Sequence, residues 1–348
     1  MSATSRDGLG HAAPSRASPA RAWPPAETDR LDRPHLCVMV DTEEEFDWDG
    51  PFSRANTAVS FDGVERAQAV FDRHGVRPCY LVGYPVAMDE HAAAGLRGWL
   101  REERCEVGAH LHPWVTPPHE EVVCLANSYP CNLPEELEWR KLQCLSDAIE
   151  ARLGRRATVY KAGRHGLRFE RVGMLPDLGY EVDTSVLPSR DFSGTGGGPN
   201  FLSCPARPFW SDETRRLLHL PVTQGPMAPL RAAAGGGTDR ALSGVGPEGV
   251  HKPGLLSRSG LSRRAMLTPE GLTLQDMRRL AHTLATGGEK VFVLTVHSPS
   301  FTPGRTPYAR DAAGAEALLT RLDGFLGFFR AELGGVAATP QEVRRLLG

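Results

Sequence analysis

Short apolar runs alternate with amphipathic stretches along most of this chain. Residues 35–41 and 291–297 are nearly continuous hydrophobic runs, which indicates strands buried on both faces. Between such runs, apolar residues recur three and four positions apart, as they do in helices. The pattern predicts strands at 35–41, 76–82, 105–110, 157–161, 180–184, 217–220 and 291–297, and helices at 64–74, 92–103, 134–153, 169–178, 273–286, 312–333 and from 340. Strands that alternate with helices predict an α/β fold with a parallel sheet or barrel.

The number of strands favours a barrel over an open sheet. Seven or eight strands are predicted, each followed by a helix or a loop, with 336–338 as the optional last one. No Gly-x-Gly-x-x-Gly opens the helix after the first strand, so the dinucleotide-binding version of an open sheet lacks its phosphate-binding turn. We therefore expect a single, irregular (β/α) barrel.

Two segments fall outside the periodic pattern. Residues 1–33 are rich in Ala, Pro, Ser and Arg and contain no apolar core of a signal peptide, so we predict a disordered tail. Residues 225–268 are rich in Gly, Pro, Ser and Arg, which indicates a flexible insertion. The domain is expected to extend over 34–348.

Charge and cysteine content narrow the function classes. The formal net charge is −2, which gives no electrostatic case for nucleic acid as a partner. No apolar stretch approaches the roughly 20 residues that span a bilayer. The seven cysteines form no Cys-x-x-Cys pair, which favours reduced core residues and predicts a cytoplasmic protein. The pattern predicts no particular oligomeric state.

Five predicted strands end on, or just before, a residue that can do chemistry. These residues are Asp41, His110, Arg164, Asp183 and His297. In parallel α/β folds, reactive side chains cluster at the carboxyl ends of the strands. The five residues are therefore candidates for one site, although they are far apart in the sequence.

Asp41 and Glu43 are separated by one residue, so their side chains point to the same side of a strand end. One carboxylate can bind a cation while the other stays free as a base. The alternative is a solvated acidic loop, because six of the nine residues from Asp41 to Asp49 are acidic.

His110 and His112 are also two residues apart, at the end of another strand. Such a pair can reach one metal ion, and an acidic third ligand would leave a position open for water, as in catalytic zinc sites. The alternative is a pair of hydrogen-bonded structural histidines.

Arg164 lies on a glycine-flanked loop, where it can orient a carboxylate base and keep it ionised. His297 can protonate a leaving group as a general acid. Taken alone, Arg164 could equally be a surface arginine on a turn. His297, taken alone, could equally be a structural histidine at the end of a strand.

The order of these motifs resembles that of the polysaccharide deacetylases, the NodB-homology group typified by carbohydrate esterase family 4. The resemblance extends from about residue 35 to the C-terminus. Its motifs are Val40–Trp48, Glu106–Trp114, Ala162–Gly166, Val182–Pro188 and Leu294–Ser300. Each ends a predicted strand or follows one closely.

The resemblance implies a distorted (β/α)7 barrel that binds a divalent metal ion, most commonly Zn²⁺. It implies that Asp41 is the general base and His297 the general acid, and that Glu43, His110 and His112 hold the metal. Arg164 would hold Asp41, and Asp183 would fix Arg164. The implied reaction is hydrolysis of the N-acetyl group of an amino sugar, with an N-acetylated saccharide as substrate.

The chain departs from the family pattern at two places. The first motif has Asp-Thr-Glu in place of two adjacent aspartates, so Glu43 and Glu44 compete for the role of ligand. The histidines are two positions apart rather than four, so His119 competes with His112. Trp48 and Trp114 flank the implied pocket, either to stack on a sugar or to fill the core.

Two further functions stay open at this point. One is hydrolysis of another C–N bond on the same barrel, such as that of a ureide. The other is a carbohydrate-binding relative without turnover, although binding alone needs no matched acid and base.

Overall fold

The computed structural model describes residues 23–227 and 264–348, which form an α/β fold. The strands are β1 His35–Thr42, β2 Cys79–Val82, β3 Glu106–Leu111, β4 Val159–Ala162, β5 Val182–Asp183, β6 Phe209–Trp210, β7 Leu218–His219, β8 Gln224–Pro226, β9 Arg264–Met266, β10 Val291–His297 and β11 Val336–Ala337. The helices are α1 Asp62–Arg73, α2 Tyr84–Met88, α3 Glu90–Arg101, α4 Glu135–Leu153, α5 Met174–Asp177, α6 Leu274–Thr286, α7 Ala312–Ala331 and α8 Pro340–Leu347.

The main sheet is curled into a half-barrel, which confirms the predicted α/β class and distorted barrel. Its strand order is β10-β1-β2-β3-β4-β5-β7-β6, with β11 beside β1. All neighbours are parallel except β6 and β7. Irregular backbone bridges the open side, because Thr223 N donates to Val293 O and Thr295 N donates to Leu267 O, both at 3.2 Å.

Alternation along the strands separates two cores. In β1, Leu36, Val38 and Val40 pack outward in the large cluster that includes the helices. Cys37 and Met39 point inward to a smaller cluster that lines the inside of the curled sheet. Because the side-chain period of a strand is two, Asp41 continues the inward series at the carboxyl end of β1.

A buried ion pair fixes the loop that follows β3. The Nζ of Lys141, on α4, donates to the carbonyl oxygens of Pro113 (2.9 Å) and Thr116 (2.6 Å) and lies 3.0 Å from Glu121 Oε2. The Lys141 side chain is fully buried. The loop that begins directly after His112 is therefore held against α4.

The structure describes only part of the predicted tail and only part of the predicted insertion. Residues 23–33, which we expected to be disordered, pack on the domain instead: Ala26 and Leu31 are buried, and the Trp23 ring lies 4.8 Å from that of Phe169. The apolar side chains of these residues account for that packing, while residues 1–22 lie outside the described residues. Of the insertion, the described ends form the antiparallel pair β8–β9, and 228–263 lie outside. No helix among the described residues is long and apolar enough to cross a membrane.

Candidate active site

The strand period brings the first two motifs together inside the curled sheet. In β3, Val107, Ala109 and Leu111 pack outward, so the alternate side chains of His110 and then His112 point inward. Glu43 continues the inward series of Asp41 in the same way. Asp41, Glu43, His110 and His112 are each at most 3% exposed.

Glu43, His110 and His112 present three ligand atoms to a common point. Glu43 Oε2 lies 3.3 Å from His110 Nε2 and 3.5 Å from His112 Nε2. The three ligand atoms all lie within 4.8 Å of one another. Two tetrahedral ligands with bonds of about 2.0–2.1 Å would lie about 3.3–3.4 Å apart, so these separations suit Zn²⁺.

The outer nitrogens of both imidazoles are already engaged, which turns each Nε2 toward the common point. His110 Nδ1 lies 3.0 Å from the carbonyl oxygen of Lys161, and His112 Nδ1 lies 2.9 Å from Glu44 Oε1. Ligand histidines in metalloproteins are oriented by such carbonyl and carboxylate partners. Glu44 therefore orients His112, and Glu43 faces the cluster. His119 is exposed and stands outside this group.

The charges at this point fit a cation. Glu43 Oε1 is buried without a hydrogen-bond partner among the described residues. Burial raises the pKa of Glu43 to about 7, and the nearby Asp41 and Glu44 add to that rise against the opposing effect of His297 and His112. Burial lowers the pKa of His110, which favours the neutral imidazole that binds metals. A divalent cation would offset the cost of burying the carboxylates.

Asp41 is held by Lys161, and not by Arg164 as the sequence led us to expect. Lys161 Nζ donates to Asp41 Oδ2 at 2.5 Å and to Thr295 Oγ1 at 3.0 Å, with both charged side chains 3% exposed. Burial favours the neutral carboxyl, but the charges of Lys161, His110 and His297 outweigh it and hold the pKa of Asp41 well below its usual range. Asp41 Oδ1 has no hydrogen-bond partner among the described residues. Asp41 is thus ionised and has a free acceptor atom.

Arg164 and Asp183 form separate groups, which corrects the expected contact between them. Arg164 Nη1 donates to Ser128 Oγ at 2.5 Å, and its guanidinium lies over the Tyr129 ring. Asp183 Oδ2 lies 2.8 Å from His219 Nδ1, and Asp183 Oδ1 accepts from the Ser185 hydroxyl. The physical reason is the strand period: Val182 faces the inner cluster, so Asp183 points to the opposite, outer face of the sheet. Arg164 lies on the turn two residues beyond β4 and contacts other loops instead.

His297 is paired with a carboxylate that the sequence did not reveal. His297 Nδ1 lies 2.8 Å from Glu270 Oε2, and its Nε2 lies 3.6 Å from Asp41 Oδ2. Burial lowers the pKa of His297, but Glu270, Glu43 and Asp41 outweigh it and raise that pKa to about 10. The imidazole is therefore a cation at neutral pH. Its side chain is 22% exposed, so a substrate can reach it.

Trp48 and Trp114, the two tryptophans that the sequence predicted to bind a sugar, differ in solvent exposure. Trp48 is half-buried, and its ring meets the His297 ring edge to face at 5.0 Å and stacks on Phe46 at 5.2 Å. Trp114 is 2% exposed and stacks on His112 at 4.2 Å. Trp114 therefore has no free face for a sugar and instead supports a ligand histidine, which corrects its assignment as a substrate-binding residue.

Comparisons with known proteins place the fold. No family model and no curated protein matches the sequence. A Mycobacterium smegmatis protein provisionally named a polysaccharide deacetylase has a TM-score of 0.50 and 16% identity, over 96% of this chain and 94% of that one. The 4-alpha-glucanotransferase of Thermococcus litoralis has a TM-score of 0.51 and 11% identity, over 90% of this chain and 40% of that one. The Bacillus subtilis peptidoglycan deacetylase PdaC has a TM-score of 0.43 and 10% identity, over 90% of this chain and 92% of that one.

The similarity to the Mycobacterium smegmatis structure shows that this chain has the fold of a protein provisionally named a polysaccharide deacetylase. The same fold also carries a glucanotransferase, so the fold alone does not assign a reaction. The assignment of a function depends on the side chains at the carboxyl ends of the strands.

Proposed function

We propose that this protein is a metal-dependent hydrolase that removes the N-acetyl group from an amino sugar of a polysaccharide or its precursor. The observation that carries the proposal is the buried Glu43–His110–His112 group with an ionised aspartate and a protonated histidine beside it. Amide hydrolysis needs all three functions: an electrophilic centre, a base for water and an acid for the amine.

Glu43, His110 and His112 would hold the metal ion, with Zn²⁺ as the best match to their N and O donors. When bound, such an ion polarises an acetyl carbonyl and makes a nearby water more acidic. The protein supplies the remaining steps.

Asp41 is the base. Its Oδ1 is the free acceptor atom and takes a proton from the attacking water, while Lys161 holds Oδ2 in place. Because Lys161 and the nearby imidazoles keep the pKa of Asp41 low, the carboxylate is ionised at any pH at which the protein would work. Lys161 is thus a positioning residue that acts through Asp41.

His297 is the acid. With Nδ1 bound to Glu270, its Nε2 proton is available to the amine as the C–N bond breaks, which releases acetate and the free amino sugar. Trp48, on the edge of the His297 ring, is placed to pack against a sugar ring during this step.

Replacing Glu270 by glutamine should move the basic limb of the pH profile of kcat/KM to lower pH. Glu270 is the nearest charge that raises the pKa of His297, so its loss lowers that pKa. A general acid works only below its pKa, and a neighbouring opposite charge accounts for about one to three pH units. The measurement is kcat/KM from pH 6 to 11, with Glu316→Gln on the surface as the control. An unmoved basic limb would rule out His297 as the acid that Glu270 tunes.

The function itself is tested by acetate release from N-acetylated oligosaccharides. We expect release by the purified protein, its loss on treatment with a chelator and its return on addition of Zn²⁺. Parallel assays for hydrolysis of linear and cyclic ureides test the competing amide-hydrolase function. Turnover of a ureide without acetate release from any saccharide would show the proposed substrate class to be wrong.

A further inference from the structure

Arg164 is a half-buried cation without a carboxylate partner among the described residues. Its guanidinium lies 4.2 Å from the centre of the Tyr129 ring and 5.1 Å from that of Phe52, and its side-chain hydrogen bond goes to Ser128. Burial lowers the pKa of Arg164, and the Tyr129 side chain opposes that effect. Buried charges are normally paired, so an unpaired guanidinium indicates a partner that binds from outside.

The backbone that carries the Arg164 side chain has an energetically unfavourable conformation. Arg164 has φ 54° and the following His165 has φ 60°, two successive non-glycine residues in the left-handed region. Such conformations persist where the surroundings enforce them and are concentrated at ligand-binding and active sites. The turn directly follows β4, at the sheet edge where Lys161 meets Asp41.

A second half-buried arginine lies on the neighbouring loop. Arg190 follows β5 and makes no ion pair among the residues that the structure describes. Burial and the like charge of Arg264 lower the pKa of Arg190. Two residues on, the Phe192 ring stacks on His165 at 5.9 Å, which joins this loop to the Arg164 turn.

The rings connect Arg164 to the metal-binding group. Phe52 contacts the Arg164 guanidinium and also packs on Trp114, with ring centres 4.5 Å apart. Trp114 in turn stacks on His112. Two aromatic rings therefore lie between Arg164 and a ligand histidine, a separation that suits a substituent on the sugar that bears the acetamido group or on its neighbour.

We infer that Arg164 and Arg190 bind an anionic group of the substrate, so that this protein deacetylates an amino sugar that carries, or adjoins, a carboxylate or a phosphate. The inference rests on the proposed deacetylase function and names its substrate class. A guanidinium recognises either anion with two parallel N–H donors, and the shared chemistry is that of an oxyanion. Neutral oligomers of N-acetylated hexosamines lack this group.

The test compares three substrates: a neutral N-acetylhexosamine oligomer, an oligomer in which uronic acids alternate with the same sugar, and an N-acetylhexosamine phosphate. We expect the wild-type kcat/KM to be at least tenfold higher on one of the anionic substrates, and the preferred one identifies the anion. Arg164→Gln should reduce this preference roughly ten- to hundredfold through KM, because binding of a remote anion is the same in the ground state and the transition state. Arg190→Gln should reduce it in the same direction.

Two controls separate recognition from folding. Arg101→Gln, on the exposed surface of α3, removes one charge away from the site and should keep the preference. Arg164→Lys keeps a cation over the two rings and should recover part of the preference, while a thermal melt of each variant reports on folding. Equal losses on neutral and anionic substrates after Arg164→Gln would assign Arg164 a structural role and overturn the inference.

Direct binding keeps this test independent of turnover. Calorimetry of the wild-type protein with each of the three saccharides should show tighter binding of an anionic one, and added NaCl should weaken that binding. Equal affinities would overturn the inference. If no substrate releases acetate, the proposed function fails, and the affinities still decide whether the arginines select an anion.

Discussion

Replacement of Asp41 by asparagine is expected to lower kcat for acetate release by roughly 10²–10⁴-fold, the usual contribution of general acid–base catalysis. The variant keeps the shape of the side chain but loses the negative charge that accepts a proton at Oδ1. The measurement is kcat and KM for acetate release, together with metal content, because the metal-binding group should survive. A variant with full activity would show that another group activates the water.

Lys161 and Arg164 can be distinguished in the same assays. Lys161 lowers the pKa of Asp41, so Lys161→Met should raise it and move the acid limb of the pH profile to higher pH. Arg164→Met is the matched variant, and it should leave the position of the acid limb unchanged because its guanidinium contacts Ser128 and aromatic rings. A shift with Arg164→Met alone would restore the arginine as the partner of Asp41.

The strand period explains why much of the candidate site is predictable from the sequence. Apolar runs that end on polar residues predicted the curled parallel sheet, and alternation predicted that Asp41 and Glu43 would share a side. The same holds for His110 and His112. These residues lie on or directly after regular strands, where the backbone fixes the direction of each side chain.

Residues beyond the regular strands were harder to place. Arg164 lies on a turn with positive φ, where the strand period no longer determines direction, so its expected contact with Asp41 was wrong. Lys161 was available to the same alternation argument, since Val159 points inward and Lys161 is two residues on. A lysine within a buried strand is the feature of the sequence from which the contact between Lys161 and Asp41 could have been predicted.

No feature of the sequence predicted the contact of Glu270 with His297. Glu270 follows a Gly- and Pro-rich segment without a period, and the loop brings it to His297 only in three dimensions. The pairing of Asp183 with His219 likewise depends on the register of β5 with β7, which short strands of two residues do not reveal. Contacts made by irregular backbone depend on tertiary packing, and a pattern of hydrophobicity does not encode them.

Substitutions in the metal-binding group Glu43–His110–His112 are expected to have the second large effect, on metal content and on acetate release. Glu43→Ala and His112→Ala should each abolish stoichiometric metal binding and, with it, acetate release, because each removes one of three ligands. Glu44→Gln should weaken metal affinity about 10–100-fold without abolishing it, since Glu44 orients the His112 ring from outside. The measurement is metal content by elemental analysis after dialysis, followed by Zn²⁺ titration.

His119→Ala is the matched control for the histidine, because His119 is exposed and stands outside the group. It should retain wild-type metal content. The ranking of the variants is what distinguishes the arrangement: ligands abolish binding, the orienting carboxylate weakens it and the exposed histidine has no effect. A protein that loses its metal with Glu44→Gln but keeps it with Glu43→Ala would reverse the two glutamates, and loss with His119→Ala would move the second histidine ligand to the loop after β3.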